Sequence, residues 1–369
     1  MDTHNKQYMA SRMRQLMPIL ALALMVCGVP REGHAEHART GACTDATAAC
    51  MESVAIEGQP KRLEIYRTYS LSRLNEDITR AFVLVHGIRR DADSHFRTGV
   101  AGAFLAGALQ DTIIIAPRFA SSSDVPGNEV GACHDKLAAS EANWICDPKR
   151  PDTWRSGGPE VSADSLTSFD FLDALIRRLS DRKVFPKLTR IVVAGHSAGG
   201  QFVMRYAMAG AGSAPNGPDV SYIVANPSSY AYLDQFRPIG GTPQTRDSVT
   251  EFGPFPDALN CPAYNDWPYG LDHLRGYATR LNADQLRTQF SHRAVTYLLG
   301  DADVLPSGVF DASCPAMAQG STRLDRGLAF ARYMQVRFGA THKAVKVPFC
   351  SHSARCLFTA DDSLPLIFP

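Results

Sequence analysis

The sequence has no excess of either charge. Lys and Arg total 38, Asp and Glu 37, and the formal net charge is +1. That excludes a nucleic-acid binder built on a concentrated basic face. No block of like charges, internal repeat or low-complexity tract interrupts the chain, which excludes solenoid and fibrous architectures. No Cys-x-x-Cys pair occurs, so the usual zinc spacing is missing. No apolar run reaches the roughly 20 residues that a membrane-spanning helix needs. What remains is an ordinary globular balance of 45% hydrophobic and 20% charged residues. A length of 369 residues admits one large domain or two smaller ones.

The N-terminus has the form of a targeting segment. Lys6, Arg12 and Arg14 supply a basic flank, and Leu16 to Val26 is apolar apart from Pro18. Gly33 and Ala35 put small residues where a signal peptidase reads, so residues 1–35 are expected to be a signal peptide cleaved after Ala35. A polar stretch, 36–60, reads as a mobile leader, and 61–369 as a single domain. Nine cysteines are present, and loss of Cys27 with the signal leaves eight. An even set of eight fits disulfides in an oxidising compartment, hence a secreted or periplasmic protein with no remaining membrane anchor. Short loops suggest Cys43–Cys50, Cys133–Cys146 and Cys350–Cys356, leaving Cys261–Cys314. About 105 pairings are formally open.

Six short apolar runs follow, at 80–87, 112–117, 190–195, 221–227, 294–300 and 344–348. They are β-branched and do not alternate with polar residues. Strands covered on both faces have this composition, which implies a parallel sheet between helices. Helical spacing appears at 165–179, 199–208 and 323–338. The fold class expected is α/β, with a doubly wound, mostly parallel sheet. Two segments, 120–159 and 227–280, are long and rich in Gly, Pro and aromatics. They read as insertions over the carboxyl edge of the sheet, where open α/β folds bind ligands.

The strongest chemical signal is Gly195-His196-Ser197-Ala198-Gly199, a G-x-S-x-G sequence between a buried strand and a helix. That placement is what the nucleophile elbow requires. The serine occupies a tight turn, and small neighbours let strand and helix approach. On these residues the chain resembles the α/β-hydrolase superfamily, over about Arg80 to Phe358, and in particular secreted serine esterases with a G-H-S-A-G elbow.

The resemblance implies three further features. An oxyanion hole would use the backbone N–H of Ala198 and that of Ile88, in Val85-His86-Gly87-Ile88. The acid would follow a late strand, where Gly300-Asp301-Ala302-Asp303 selects Asp303, with Asp301 as the alternative. The histidine would follow the last strand, which selects His352. Glycines usually stand just before it, whereas here Phe349, Cys350 and Ser351 do, and a Cys350–Cys356 disulfide is expected to pin the loop instead. The implied activity is two-step acyl transfer by a serine hydrolase on a small-molecule or polymeric carboxylic ester, with no metal or organic cofactor and no nucleic-acid partner. A lipase, a peptidase or an acyltransferase would use the same triad, and a non-catalytic binding protein would need none of it. The sequence does not set the oligomeric state.

Overall fold

Each of the six apolar runs is a strand, and all six lie in one sheet. The computed structural model describes residues 41–123, 133–147, 149–239 and 251–369. The expected signal peptide lies outside them. The described chain opens on β1 (Met51–Ala55) and β2 (Arg62–Arg67), then β3 (Arg80–Val85), helix α1 (Ala92–Leu105) and β4 (Thr112–Pro117). Two short strands, β5 (Pro159–Glu160) and β6 (Ala163–Thr167), precede α2 (Ser168–Leu179). Next come β7 (Arg190–His196), α3 (Ala198–Ala209) and β8 (Asp219–Ala225). A small antiparallel pair, β9 (Phe236–Pro238) and β10 (Phe252–Pro254), is followed by α4 (Ala283–His292) and β11 (Ala294–Gly300). The chain ends on α5 (Cys314–Met317), α6 (Arg323–Phe338), β12 (Lys343–Val347), α7 (Ala354–Thr359) and α8 (Leu364–Ile367).

Among the described residues the main sheet has eight strands in the order β1-β2-β4-β3-β7-β8-β11-β12. The run from β4 to β12 is parallel, and β1 and β2 are antiparallel at one edge. Its faces explain the missing alternation. Phe82 and Leu84 of β3 join Ile114, Ala116, Val192 and Ala194 on one side, with Phe96, Phe358 and Ile367 from α1, α7 and α8. Val83 and Val85 join Ile113, Ile115 and Val193 on the other, with Leu172, Phe202 and Phe330 from α2, α3 and α6. Full burial of such a side chain stabilises by roughly 1.5–3 kcal/mol, so both faces demand apolar residues and no polar position is left between them.

Local signals set the helix ends. The second helix begins at Ser168 rather than at 165, because Thr167 caps it: its hydroxyl accepts from Asp170 N–H, and the Asp170 carboxylate reaches back to Thr167 N–H. Residues 165–167, read as helix, belong to β6. The leader requires a larger correction. Ordered structure reaches well into 36–60: Cys43 and Cys50 are bonded, and β1 pairs with β2 from Met51↔Tyr66 to Ala55↔Arg62. This edge strand buries Val54 alone, so its sequence looks polar.

Among the described residues there are four disulfides, Cys43–Cys50, Cys133–Cys146, Cys261–Cys314 and Cys350–Cys356, as the short loops suggested. Such a set points to an extracellular or periplasmic location. No helix among the described residues is long and apolar enough to cross a membrane.

Candidate active site

Sheet order puts the chemistry side by side. Strands β3, β7, β8, β11 and β12 are neighbours, and their carboxyl ends lead into Gly87, Ser197, Asn226, Asp303 and His352.

Ser197 sits between β7 and α3 with φ 57° and ψ −116°. A side-chain-bearing residue is rarely held there, and the strain is of order 1–3 kcal/mol. The surroundings enforce it. Ser197 N–H donates to Ala225 O at 2.9 Å, and its carbonyl accepts from Gln201 N–H at 3.0 Å. The elbow is also too tight for larger neighbours. A Cβ on Gly195 would stand 2.3 Å from Gly199 O, and one on Gly199 2.3 Å from Val85 O.

The structure brings the three expected side chains together. His352 Nε2 lies 2.9 Å from Ser197 Oγ, and His352 Nδ1 lies 2.8 Å from Asp303 Oδ2. Asp303 is 1% exposed, whereas Asp301 is exposed and its N–H merely donates to Val347 O. The loop carrying His352 is tied down in three ways. Cys350 is bonded to Cys356, and Cys350 O accepts from Ala302 N–H at 3.0 Å. Asn226 accepts from Gly300 N–H and donates to Ser351 O, clipping β11 to the loop. Phe349 takes φ 61° and is 92% exposed, so the left-handed turn that glycine would favour is made here by a side chain directed at solvent.

Ile88 and Ala198 border the same cavity as Ser197. The peptide joining Gly87 to Ile88 is held by His86, which is fully buried. Phe119 N–H donates to His86 Nε2 at 3.0 Å, so the ring proton is on Nδ1 and is donated to Gly87 O at 2.9 Å. Burial holds this imidazole neutral, with its pKa lowered to about 4. His196, whose ring centroid is 4.5 Å from that of His352, is also buried, and its pKa is pushed well below the usual value by burial first and by His352 second.

His95 lies behind this pair, its ring centroid 6.5 Å from those of His86 and His196; three other histidines stand elsewhere. His273 and His292 are exposed, and His342 is buried between Tyr297 and Phe290. Among the described residues, no group of three or more His, Cys, Asp or Glu is placed to hold a metal ion.

Sequence reasoning missed the second layer. Arg323, at the head of α6, is fully buried and places Nη1 3.4 Å from Asp303 Oδ1. It also donates to Ser228 Oγ, Ser307 O and Val309 O. Arg326, one turn on, donates to Asp311 O and stacks on Phe310. Together they hold the acid loop and the wall of the cavity that it forms. The available signal was two arginines three residues apart beside an apolar stripe.

The cavity measures about 560 Å³ and opens beside Ser197. Lys149, Arg155 and Tyr269, from the two long segments, line it with Val309, Phe310 and Asp311. The aromatics of those segments otherwise serve as packing: Trp144, Trp154, Tyr230, Tyr232 and Trp267 are all buried.

The sequence profile described as "Alpha/beta hydrolase family" matches residues 82–362. The chain belongs to the alpha/beta hydrolase family. No curated protein matches this hydrolase in sequence. Among solved structures, it is similar to poly(aspartic acid) hydrolase-1 from Sphingomonas sp. KT-1, with 20% identity, a TM-score of 0.56, and coverage of 86% of this chain and 98% of that one. It is also similar to LpqC, a poly(3-hydroxybutyrate) depolymerase from Bordetella parapertussis, with 16% identity, a TM-score of 0.54, and coverage of 83% and 84%. At these identities the likeness is one of fold.

Proposed function

We propose that this hydrolase cleaves carboxylic esters through an acyl-enzyme on Ser197. The observation that carries the reading is the unbroken relay from Ser197 Oγ through His352 to Asp303, at 2.9 and 2.8 Å. In this reading His352 takes the serine proton as Oγ attacks the carbonyl, then returns it to the leaving alcohol. Asp303 orients the imidazole and stabilises its protonated form. The backbone N–H groups of Ile88 and Ala198 receive the developing oxyanion. Water, activated by the same histidine, releases the acid. The mixed polar and apolar cavity suits a small-molecule or polymeric ester. We read the chain as an exported protein, with residues 1–35 as the signal and one catalytic domain whose sheet already includes β1.

A fluorophosphonate probe tests the nucleophile. Wild type is expected to label and Ser197→Ala to stay unlabelled; equal labelling overturns the assignment. A panel of p-nitrophenyl esters of increasing chain length then separates esterase from lipase.

A further inference from the structure

Acyl transfer makes no use of the basic side chains at the far end of the cleft. Two cavities run together there. The one beside Ser197 and a smaller recess of about 210 Å³ share Lys149, Arg155, Gln201, Tyr269, Asp311 and Pro315. The recess ends on Arg205 and Ser229. Ser197, Gln201 and Arg205 are spaced four residues apart at the head of α3, which puts them on one face of the helix. Helical rise sets Gln201 about 6 Å and Arg205 about 12 Å beyond the nucleophile along the axis.

Arg205 is 2% exposed, yet among the described residues it has no ionic partner. Its guanidinium donates to Pro268 O at 3.2 Å, Arg155 O at 3.4 Å and Ser229 Oγ at 3.2 Å, all neutral acceptors. Burial first, and the Arg155 charge second, push its pKa down to about 9. Arg155 itself donates to Gln201 Oε1 at 3.1 Å and Thr153 Oγ1 at 3.3 Å. Ser229 Oγ accepts from both Gln201 Nε2 and Arg205, which leaves its own O–H to donate elsewhere. The nearby acids are occupied. Asp311 accepts from Tyr269 Oη at 2.9 Å and Ser313 Oγ at 2.6 Å, and Asp266 holds His273. Five basic and two acidic side chains line the recess, and Arg150 is paired with Asp152 just outside it, so the described lining keeps an excess of positive charge.

A buried guanidinium with neutral partners carries an uncompensated desolvation cost, which an arriving anion relieves. We infer that the recess is an anion subsite, and that the ester turned over at Ser197 carries a carboxylate several bonds from its scissile carbonyl. The planar guanidinium fork matches a carboxylate, and the recess has room for that group and a few methylenes. A short dicarboxylic chain covers the about 6 Å of helical rise from the nucleophile to Gln201, whose Oε1 accepts from Arg155. The substrate class rests on the hydrolase reading above; the subsite itself does not.

The test compares mono-4-nitrophenyl adipate with the same ester capped as its methyl ester. Wild type is expected to favour the free acid in kcat/KM by about tenfold or more at low ionic strength. The ratio of the two kcat/KM values should collapse toward unity in Arg205→Gln and in Arg155→Gln. Arg155 is only half-buried, so its variant carries the test if Arg205→Gln does not fold. Equal use of both esters by wild type, or an unchanged ratio in Arg155→Gln, overturns the subsite and leaves the hydrolase reading standing. If neither ester is cleaved and Ser197 fails to label with fluorophosphonate, the hydrolase reading falls instead. Adipate alone then decides the subsite: it should raise the Tm of wild type but not of Arg155→Gln, and no rise in wild type overturns it.

Discussion

Arg323 Nη1 stands 3.4 Å from Asp303 Oδ1, with the two side chains 0% and 1% exposed. Asp303 therefore has an imidazole on one oxygen and a guanidinium on the other. Removing one member of a buried ion pair strands the other charge, at a cost of roughly 3–5 kcal/mol. Asp303→Asn is thus expected to lose both stability and activity, with kcat down about 10⁴-fold because the imidazole loses its orienting acceptor. Urea unfolding and ester kinetics on one preparation read both effects. Asp301→Asn, at an exposed position, should change neither. Wild-type stability in Asp303→Asn would show that the pair does not anchor the acid loop.

The strained serine predicts a change of opposite sign. At φ 57° and ψ −116°, Ser197 adopts a conformation open to glycine at little steric cost. Ser197→Gly should abolish turnover and raise stability by about 1 kcal/mol, part of which is offset by the greater freedom of glycine when unfolded. Ser197→Ala removes the hydroxyl but keeps the strain, so it should be inactive at near wild-type stability. Ser197→Gly no more stable than Ser197→Ala in thermal unfolding would mean that the elbow is relaxed.

What could be read from sequence follows from how local each determinant is. The parallel strands were legible because burial on both faces writes an unbroken β-branched run, as in Arg190–His196. The elbow was legible because its steric demands fall on consecutive residues. Strand β1 was not, since an edge strand that buries only Val54 has the composition of a loop. The inward arginines of α6 were not legible for a related reason. Its apolar stripe packs on the core as the spacing implies, through Phe330 and Met334 with Leu324 and Leu328 at the margin, while Arg323 and Arg326 turn inward to carbonyls of loops distant in sequence. A buried arginine is legible only once its acceptors are in place. Arg205 is the same case, on a helix whose apolar pattern says nothing of the recess beside it.

Under the proposed mechanism, in which Ile88 N–H receives the oxyanion, His86 acts at one remove from the reaction. Its Nδ1–H holds Gly87 O, and the same peptide unit carries the N–H of Ile88. His86→Leu frees that peptide and leaves Phe119 N–H without its acceptor. An oxyanion donor is worth about 10²–10³ in kcat, so loosening one is expected to lower kcat by about tenfold or more with little change in KM. A rise in KM at constant kcat would instead assign His86 to substrate binding or to packing alone.

His342 provides a measure of stability against pH that is remote from the cleft. It is 3% exposed, with Nδ1 against Tyr297 Oη at 2.8 Å and Nε2 against Phe290 O at 3.0 Å. Burial lowers its pKa to about 4, from 6.5. The unfolded chain therefore binds a proton between pH 6.5 and 4 that the folded chain refuses, and stability rises with pH across that window. The contribution is complete above about pH 6.5 and is lost as pH falls to 4. One pKa unit corresponds to about 1.36 kcal/mol, so wild type should lose about 2 kcal/mol more than His342→Gln between pH 7 and pH 5. Buried His86, also lowered to about 4, adds a similar loss to both proteins and cancels in the comparison. Chemical denaturation at the two pH values measures the difference directly. Parallel losses would mean that His342 takes up its proton in the folded state, with Tyr297 or Phe290 giving way to admit the charge.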